Sequence, residues 1–393
     1  MQRLEGLTAD LREQLLADRR HLHRNPELSN DERQTQAYIE ERLVAEGMHG
    51  HRRVAGYGVT LDITGERGNS NRKVAVRADI DALPIIEDSG VAFTSANSGV
   101  MHACGHDAHT AMVLAAASHL HRNRHRFSGT VRIIFQPAEE AEPLGGRRIV
   151  EEGLLDDVDA AIGIHVDPYL DAGMIAVAPG PYTLASDIFD LVVTGVAAHA
   201  AKPSDGVDAI TAACAIVGEV QKIVSRESDA YEPLVVSITG IEGGGSYNIV
   251  ADEVRLKGTI RSGSLATRRR AQDRLKEIVS GLAIAHRVTA RLSFIDGEPP
   301  VVNDPELAGI VRAAASRLLG DGKAVAGTGW TAADDFGFYC EKVPSVYFRL
   351  GIRNEAEGAT YPLHHPKFRI DESVLPLGAE MIIESALQAV SAE

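Results

Sequence analysis

The chain has 393 residues, 44% hydrophobic and 24% charged, an ordinary globular composition on a length that calls for two domains. With 40 basic against 55 acidic residues the formal net charge is −15, which excludes the basic surface that nucleic acid requires. The longest apolar runs are too short to span a bilayer, and residues 1–10 lack a basic stretch followed by an apolar one, so neither membrane insertion nor export is expected.

The chain opens on a helix, with Asp10 and Glu13 as a capping pair and Leu11, Leu15 and Leu22 on one face. A second helix is expected after Ser29, with Glu32 three residues on, stopping near Gly47. VTLDI (59–63) and VAVRA (74–78) read as strands, 106–121 as a long helix, and VRIIF (131–135) and AAIGIH (160–165) as buried strands. Strands alternating with helices predict an α/β layer around a mixed, mainly parallel sheet.

The pattern changes near residue 184. IFDLVVTGV (188–196), a helix over 205–226, PLVVSITGI (233–241), EVRLKGTIR (253–261), a helix over 268–287 and RVTARLSFI (287–295) follow in order. Strand–helix–strand–strand–helix–strand predicts an inserted α+β, ferredoxin-like domain at 184–296, which leaves 1–183 and 297–393 as one discontinuous domain.

Three groups of metal-capable side chains follow predicted strands: Asp79 and Asp81, Glu139 and Glu140, and His165. Open α/β sheets gather ligands beyond the carboxyl ends of their strands. In MHACGHDAHT, Cys104 and His106 flank Gly105 at a helix start, and thiolate with imidazole suits zinc and other borderline metals. PLHHPKF adds His364 and His365. Adjacent glutamates cannot share one geometry, so one of Glu139 and Glu140 binds metal while the other takes a proton from the attacking water.

Other features read more plainly. His102 and His109 stand behind the ligands or on the helix surface, and His23 is structural support. His119, His121 and His125 mark the solvated end of a helix. Gly243, Gly244 and Gly245 make a tight turn, since no P-loop lysine follows. No G-x-S-x-G elbow occurs. Cys104, Cys214 and Cys340 are too few and too scattered for a disulfide framework, which points to a reducing, cytoplasmic setting.

The motifs HRNPELSNDE, RADIDALP, HACGHDAHT, FQPAEE, GIHV, AHAAKPSDGVDAI, GGGSYNIV and LHHPKF run in order from Arg20 to about Lys367. Together they resemble the di-metal aminoacylases: bacterial hippurate hydrolases, plant auxin–amino-acid conjugate hydrolases and N-acetyl-diaminopimelate deacetylase. The resemblance implies a catalytic domain of zinc-exopeptidase type and two divalent ions, Zn²⁺ or Mn²⁺, with Co²⁺ or Ni²⁺ also acceptable. It makes Cys104, His106, Glu140, His165 and His364 the ligands and Glu139 the general base. Asp79 stands where other branches carry a ligand histidine, and Asp81 matches an aspartate that orients a ligand. His199 matches a histidine that stabilises the oxyanion, often of a partner subunit, which implies a homodimer with the insert as lid and dimerisation domain. Asn248 matches a position near substrate, and the loop around Trp330 is expected near the pocket. Two departures stand out: His365 replaces a small polar residue, and NIVADE replaces an asparagine–valine–isoleucine–proline–aspartate run.

The implied activity is hydrolysis of N-acyl-L-amino acids to a carboxylate and a free amino acid. N-acetyl-diaminopimelate deacetylation in lysine biosynthesis shares every motif. A non-catalytic metal-bound binding protein is the rival of another class, and Glu139 argues against it, because a pure binder needs no base beside the metal.

Overall fold

The computed structural model describes residues 6–391 except Asp321, Thr328 and Thr331. Two compact units divide the chain: Met1–Gly180 with Val302–Thr328 and Phe338–Glu393, and Pro181–Val301 with Gly329–Gly337. The segment 329–337, far from the insert in sequence, thus belongs to the second unit.

In the first unit the β-branched runs become β1 (Arg52–Val54), β2 (Gly58–Thr64), β3 (Lys73–Asp79), β4 (Thr130–Gln136) and β5 (Ala160–Asp171). Their sheet has eight strands in the order β1, β2, β4, β3, β5, Ser345–Arg353, Ile175–Ala176, Ala324–Val325. β4, β3, β5 and Ser345–Arg353 are mutually parallel, and β1 and β2 are antiparallel additions at one edge. From the second residue on, β3 and β4 are buried at every position, the pattern of strands covered on both faces.

Three helices precede the fourth strand: α1 (Ala9–Arg24), α2 (Arg33–Ala45) and α3 (His106–Arg122). α3 is buried from His106 through Leu120, as a helix enclosed on all sides must be. α1 and the C-terminal helix Leu375–Ser391 pack against it. At Gly378 a Cβ would stand 2.1 Å from Met112 Sδ, so glycine lets the two helices close up. Residues 372–391 are long and apolar enough by composition to cross a bilayer, which the short apolar runs did not suggest. Of that stretch's most apolar 18-residue window 67% is buried within the protein, so its apolar character serves the core.

Three local expectations fail, each to a tertiary competitor. α1 starts at Ala9 with Thr8 in the cap position, and Asp10 lies in the first turn with Oδ2 2.7 Å from Arg122 Nη1. α2 is capped by Glu27 rather than Ser29: Glu27 Oε2 accepts the N–H groups of Gln34 and Thr35, both at 2.8 Å. Ser29 turns away and donates to Asp81. His119 is buried, because α3 stays covered for one turn more than its charged end implies.

The second unit is a four-stranded antiparallel sheet in the order Leu234–Gly243, Glu253–Ser262, Ala185–Thr194, Thr289–Asp296. Helices Ala209–Ser225 and Leu265–His286 pack on it, giving strand–helix–strand–strand–helix–strand in chain order. Phe189, Leu191 and Val193 alternate inward from their strand to meet Ala212, Ile216, Val220 and Leu275. Asp208 and Ser264 cap the two helices through side-chain oxygens. A buried ion pair ties sheet to helix, with Arg268 Nε donating to Asp187 Oδ2 at 2.8 Å.

Candidate metal centre

Parallel strands deliver their ends to one edge. β3 ends on Asp79, β4 on Gln136 just before Pro137, and β5 carries His165 level with Arg349 of the neighbouring strand. The turn that brings Cys104 and His106 to this edge depends on Gly105, at φ +88°. That is left-handed space, and a Cβ there would lie 2.5 Å from Val166 Cγ2. Gly105→Ala is therefore expected to weaken metal retention by about tenfold or more, the effect of displacing ligands from their supports. A chelator-competition titration checks it, and unchanged retention would show that the turn is not under this constraint.

The histidines have their tautomers set by what lies behind them. His106 Nδ1 faces the Asp81 carbonyl at 3.0 Å and Asp81 Oδ1 at 3.1 Å, so it carries the proton and Nε2 is left as a lone pair. His165 Nδ1 donates to the Val166 carbonyl at 2.7 Å, which turns Nε2 to Cys104 Sγ, 3.5 Å away. His109 is occupied on both sides: Nδ1 donates to Asp79 Oδ1 at 2.7 Å and Nε2 accepts the Val166 N–H at 3.0 Å.

Glu140 is held by its backbone, whose N–H donates to Asp81 Oδ2 at 3.0 Å. Glu140 Oε1 lies 3.1 Å from His364 Nε2 and 4.0 Å from His106 Nε2. Glu139 Oε2 lies 4.0 Å from the same His106 atom. His364 is placed by its backbone N–H, which donates to the Ala103 carbonyl at 2.9 Å. His365 points elsewhere: its ring stacks on Tyr361 with centroids 4.7 Å apart and its Nδ1 accepts the Lys367 N–H.

Among the described residues five groups of donor atoms each lie within 4.8 Å of one another, and two of them are Cys104, His106 and His165, and Cys104, Glu140 and His364; Glu139 falls in another, with His106 and Glu140. Cys104 belongs to both of the first two. His106 Nε2 and Glu140 Oε1 are buried without any hydrogen-bond partner. A buried imidazole lone pair and a buried carboxylate oxygen facing the same space are costly unless a cation lies between them, so the donor set fits divalent metal.

The charges agree. Burial works against a charged His106, yet Asp79 and Asp81 outweigh it and raise the ring to about 10, so a proton occupies Nε2 wherever a metal cation does not. Burial, then Glu140 and Glu139, push the Cys104 thiol well above its ordinary range. Burial, then His109, hold His165 neutral. Asp79 is held well below the carboxylate range, because His106, His109 and Arg77 overcome the cost of burying it. These carboxylates converge on a space that calls for positive charge.

His102 is buried with neither ring nitrogen bonded, and burial lowers it to about 4. His23 is bound between Asp107 (2.8 Å) and Glu87 (3.0 Å), with Arg19 also on Asp107. This buried cluster behind α3 escaped the sequence reading, apart from the supporting role of His23. His199 and Asn248 belong to the second unit and are exposed there. Ile249 pairs with His199, and the Asn248 carbonyl accepts the Ala200 N–H at 2.9 Å. His199 Nδ1 accepts the Ala201 N–H at 3.1 Å, which leaves the proton on Nε2. Trp330 donates its backbone N–H to Tyr182 in that unit, and Thr328 and Thr331 of its loop lie outside the described residues.

Comparison with known proteins follows the same lines. The family model described as Peptidase family M20/M25/M40 matches residues 75–388. N-acetyl-L-cysteine deacetylase of Bacillus subtilis is 36% identical over 96% of this chain and 88% of its own length. Thermostable carboxypeptidase 2 of Saccharolobus solfataricus is 38% identical over 96% of both chains. Among solved structures, a dinuclear metal-binding peptidase of the M20 family from Bacillus subtilis is similar with a TM-score of 0.85 at 32% identity, covering 98% of this chain and 100% of the other.

Proposed function

The chain belongs to peptidase family M20/M25/M40 and is a metal-dependent hydrolase of amides, and on that footing we propose that it releases a free amino acid from its N-acyl derivative. The observation that carries the reading is the pair of adjacent glutamates. Glu140 sits in a donor group with Cys104 and His364, while Glu139 stands beside it near His106. Cys104, His106, Glu140, His165 and His364 are the residues that would hold the metal. Bound there, divalent ions polarise the scissile carbonyl and acidify a water molecule.

Glu139 takes the proton of that water as its oxygen bonds to the carbonyl carbon. The carbon becomes tetrahedral, and Glu139 then returns the proton to the amide nitrogen as the carbon–nitrogen bond breaks. The products are a carboxylate and the amino group of the freed amino acid. Asp81 holds both His106 and the Glu140 backbone, so one buried carboxylate aligns two proposed ligands. His199 is the proposed donor to the oxyanion, supported by its motif and its protonated Nε2. Asn248 near substrate, Zn²⁺ or Mn²⁺ as the ions, and a homodimer belong to the same proposal.

The carboxypeptidase relative favours a second reading, release of a C-terminal amino acid from a peptide. Both reactions break the amide on the nitrogen of an amino acid with a free carboxylate. A panel of acetyl, benzoyl, indole-acetyl and long-chain acyl groups on several amino acids, with N-blocked dipeptides, separates them. Amine release is expected from the acyl amino acids, lost on chelation and restored by Zn²⁺ or Mn²⁺. Release from dipeptides alone would favour the second reading, and no release from any compound would overturn both.

A further inference from the structure

The segment from Ser29 to Glu32 lies more than a hundred residues before the loop that carries Glu139, yet it grips that loop on both sides. Ala138, directly before Glu139, has φ +50°, a left-handed conformation disfavoured for any residue with a Cβ. Its N–H is held by Glu32, a buried side chain whose Oε1 accepts it at 2.7 Å. On the far side, Asn30 Nδ2 donates to the Ala141 carbonyl at 3.2 Å, and Asn30 Oδ1 accepts from Arg148 Nη2 at 2.8 Å. Ser29 donates to Asp81 Oδ2 at 2.7 Å, the same oxygen that accepts the Glu140 N–H. Residues 138, 140 and 141 are each held, directly or through Asp81, and the residue they bracket is Glu139.

We propose that Glu32 is a positioning residue for the general base. It keeps Ala138 left-handed and so fixes the direction in which Glu139 leaves the loop. This inference rests on the reading of Glu139 as the base. Without the Glu32 acceptor the Ala138 N–H loses its buried partner, and the backbone gains by relaxing to an ordinary conformation. That swing moves Glu139 but leaves Glu140 in place, because Asp81 holds the Glu140 N–H independently. The loss therefore falls on kcat, with KM and metal content spared.

The test compares Glu32→Gln, which keeps a carbonyl acceptor, with Glu32→Leu, which has none, on the panel compound that the unaltered chain turns over fastest. Glu32→Gln is expected to hold kcat within about threefold, whereas Glu32→Leu lowers it about 100-fold, the scale of an ångström misplacement of a reacting group. Both keep KM within about twofold and retain the metal content of the unaltered chain. Added to Glu139→Gln, Glu32→Leu is expected to change residual turnover by less than about twofold, as a residue acting only through Glu139 must. Should Glu32→Leu not fold, Asn30→Gly removes the far grip while suiting the φ of +68° at that position, with kcat falling about tenfold. Equal kcat for Glu32→Gln and Glu32→Leu, losses confined to KM or metal content, or a further drop on top of Glu139→Gln would each overturn the proposal. Full activity of Glu139→Gln would instead remove the base reading itself, and absence of any turnover would remove both.

Discussion

Glu139→Gln is expected to lower kcat by roughly 10⁴-fold, the upper end of what one acid–base group supplies. The magnitude follows from the residue serving twice, first accepting the proton of water and then delivering it to the leaving nitrogen. Glutamine keeps the size and hydrogen-bonding reach of the side chain but cannot take a proton, so substrate binding is spared. Metal content is expected to stay unchanged, since the proposed ligands are other groups. Glu140→Gln has the opposite signature: loss of metal first, and of activity as a consequence, because Glu140 Oε1 shares a donor group with Cys104 and His364. Stopped assays at saturating substrate, paired with metal analysis of the same samples, separate the two variants. If Glu139→Gln lost metal and Glu140→Gln kept it, the two roles would have to be exchanged.

The centre was legible in the sequence to the extent that its parts sit beside recognisable strands. Parallel strands fix which ends meet, so Asp79, the Glu139–Glu140 pair and His165 fall on one edge once VAVRA, VRIIF and AAIGIH are read as strands. The supports were less legible because they run through the backbone. No residue pattern announces that the Val166 backbone links His109 to His165 through its N–H and its C=O. Ser29 illustrates a second limit. It satisfies the local rule for a helix cap better than Glu27 does, yet its hydroxyl goes to Asp81 and Glu27 takes the helix N–H groups. His119 failed for a related reason: a run of histidine and arginine looks wet until neighbouring helices cover its first member. That His364 rather than His365 lies beside Glu140 follows from the backbone bond from His364 to Ala103, a contact across more than 250 residues.

Asp79→Ala is the substitution expected to cost most in stability, and the reason lies in what it leaves behind. Asp79 is fully buried and accepts from Arg77 Nη1 at 2.6 Å and from His109 Nδ1 at 2.7 Å. Arg77 is itself buried, and its Nε is already committed to Gln136 Oε1 at 3.1 Å. Removing the carboxylate takes a buried acceptor from both Arg77 and His109, a loss of about 1.5–3 kcal/mol. The same change breaks a chain that runs from Asp79 to His109, along the Val166 backbone, to His165 Nδ1. Without it nothing fixes the His109 tautomer that accepts the Val166 N–H, and metal affinity is expected to fall about 10- to 100-fold. Asp79→Asn separates the two effects. Its carbonyl still accepts from His109 and preserves the chain, but its amide meets Arg77 donor to donor and offers no countercharge. Urea denaturation of chelator-stripped protein measures the first effect free of linkage to bound metal, and chelator competition measures the second. Equal stability of Asp79→Ala and the unaltered protein would mean that the Asp79 carboxylate adds nothing to the hold on Arg77 and His109, while equal metal affinity would show that His165 needs no support from Asp79.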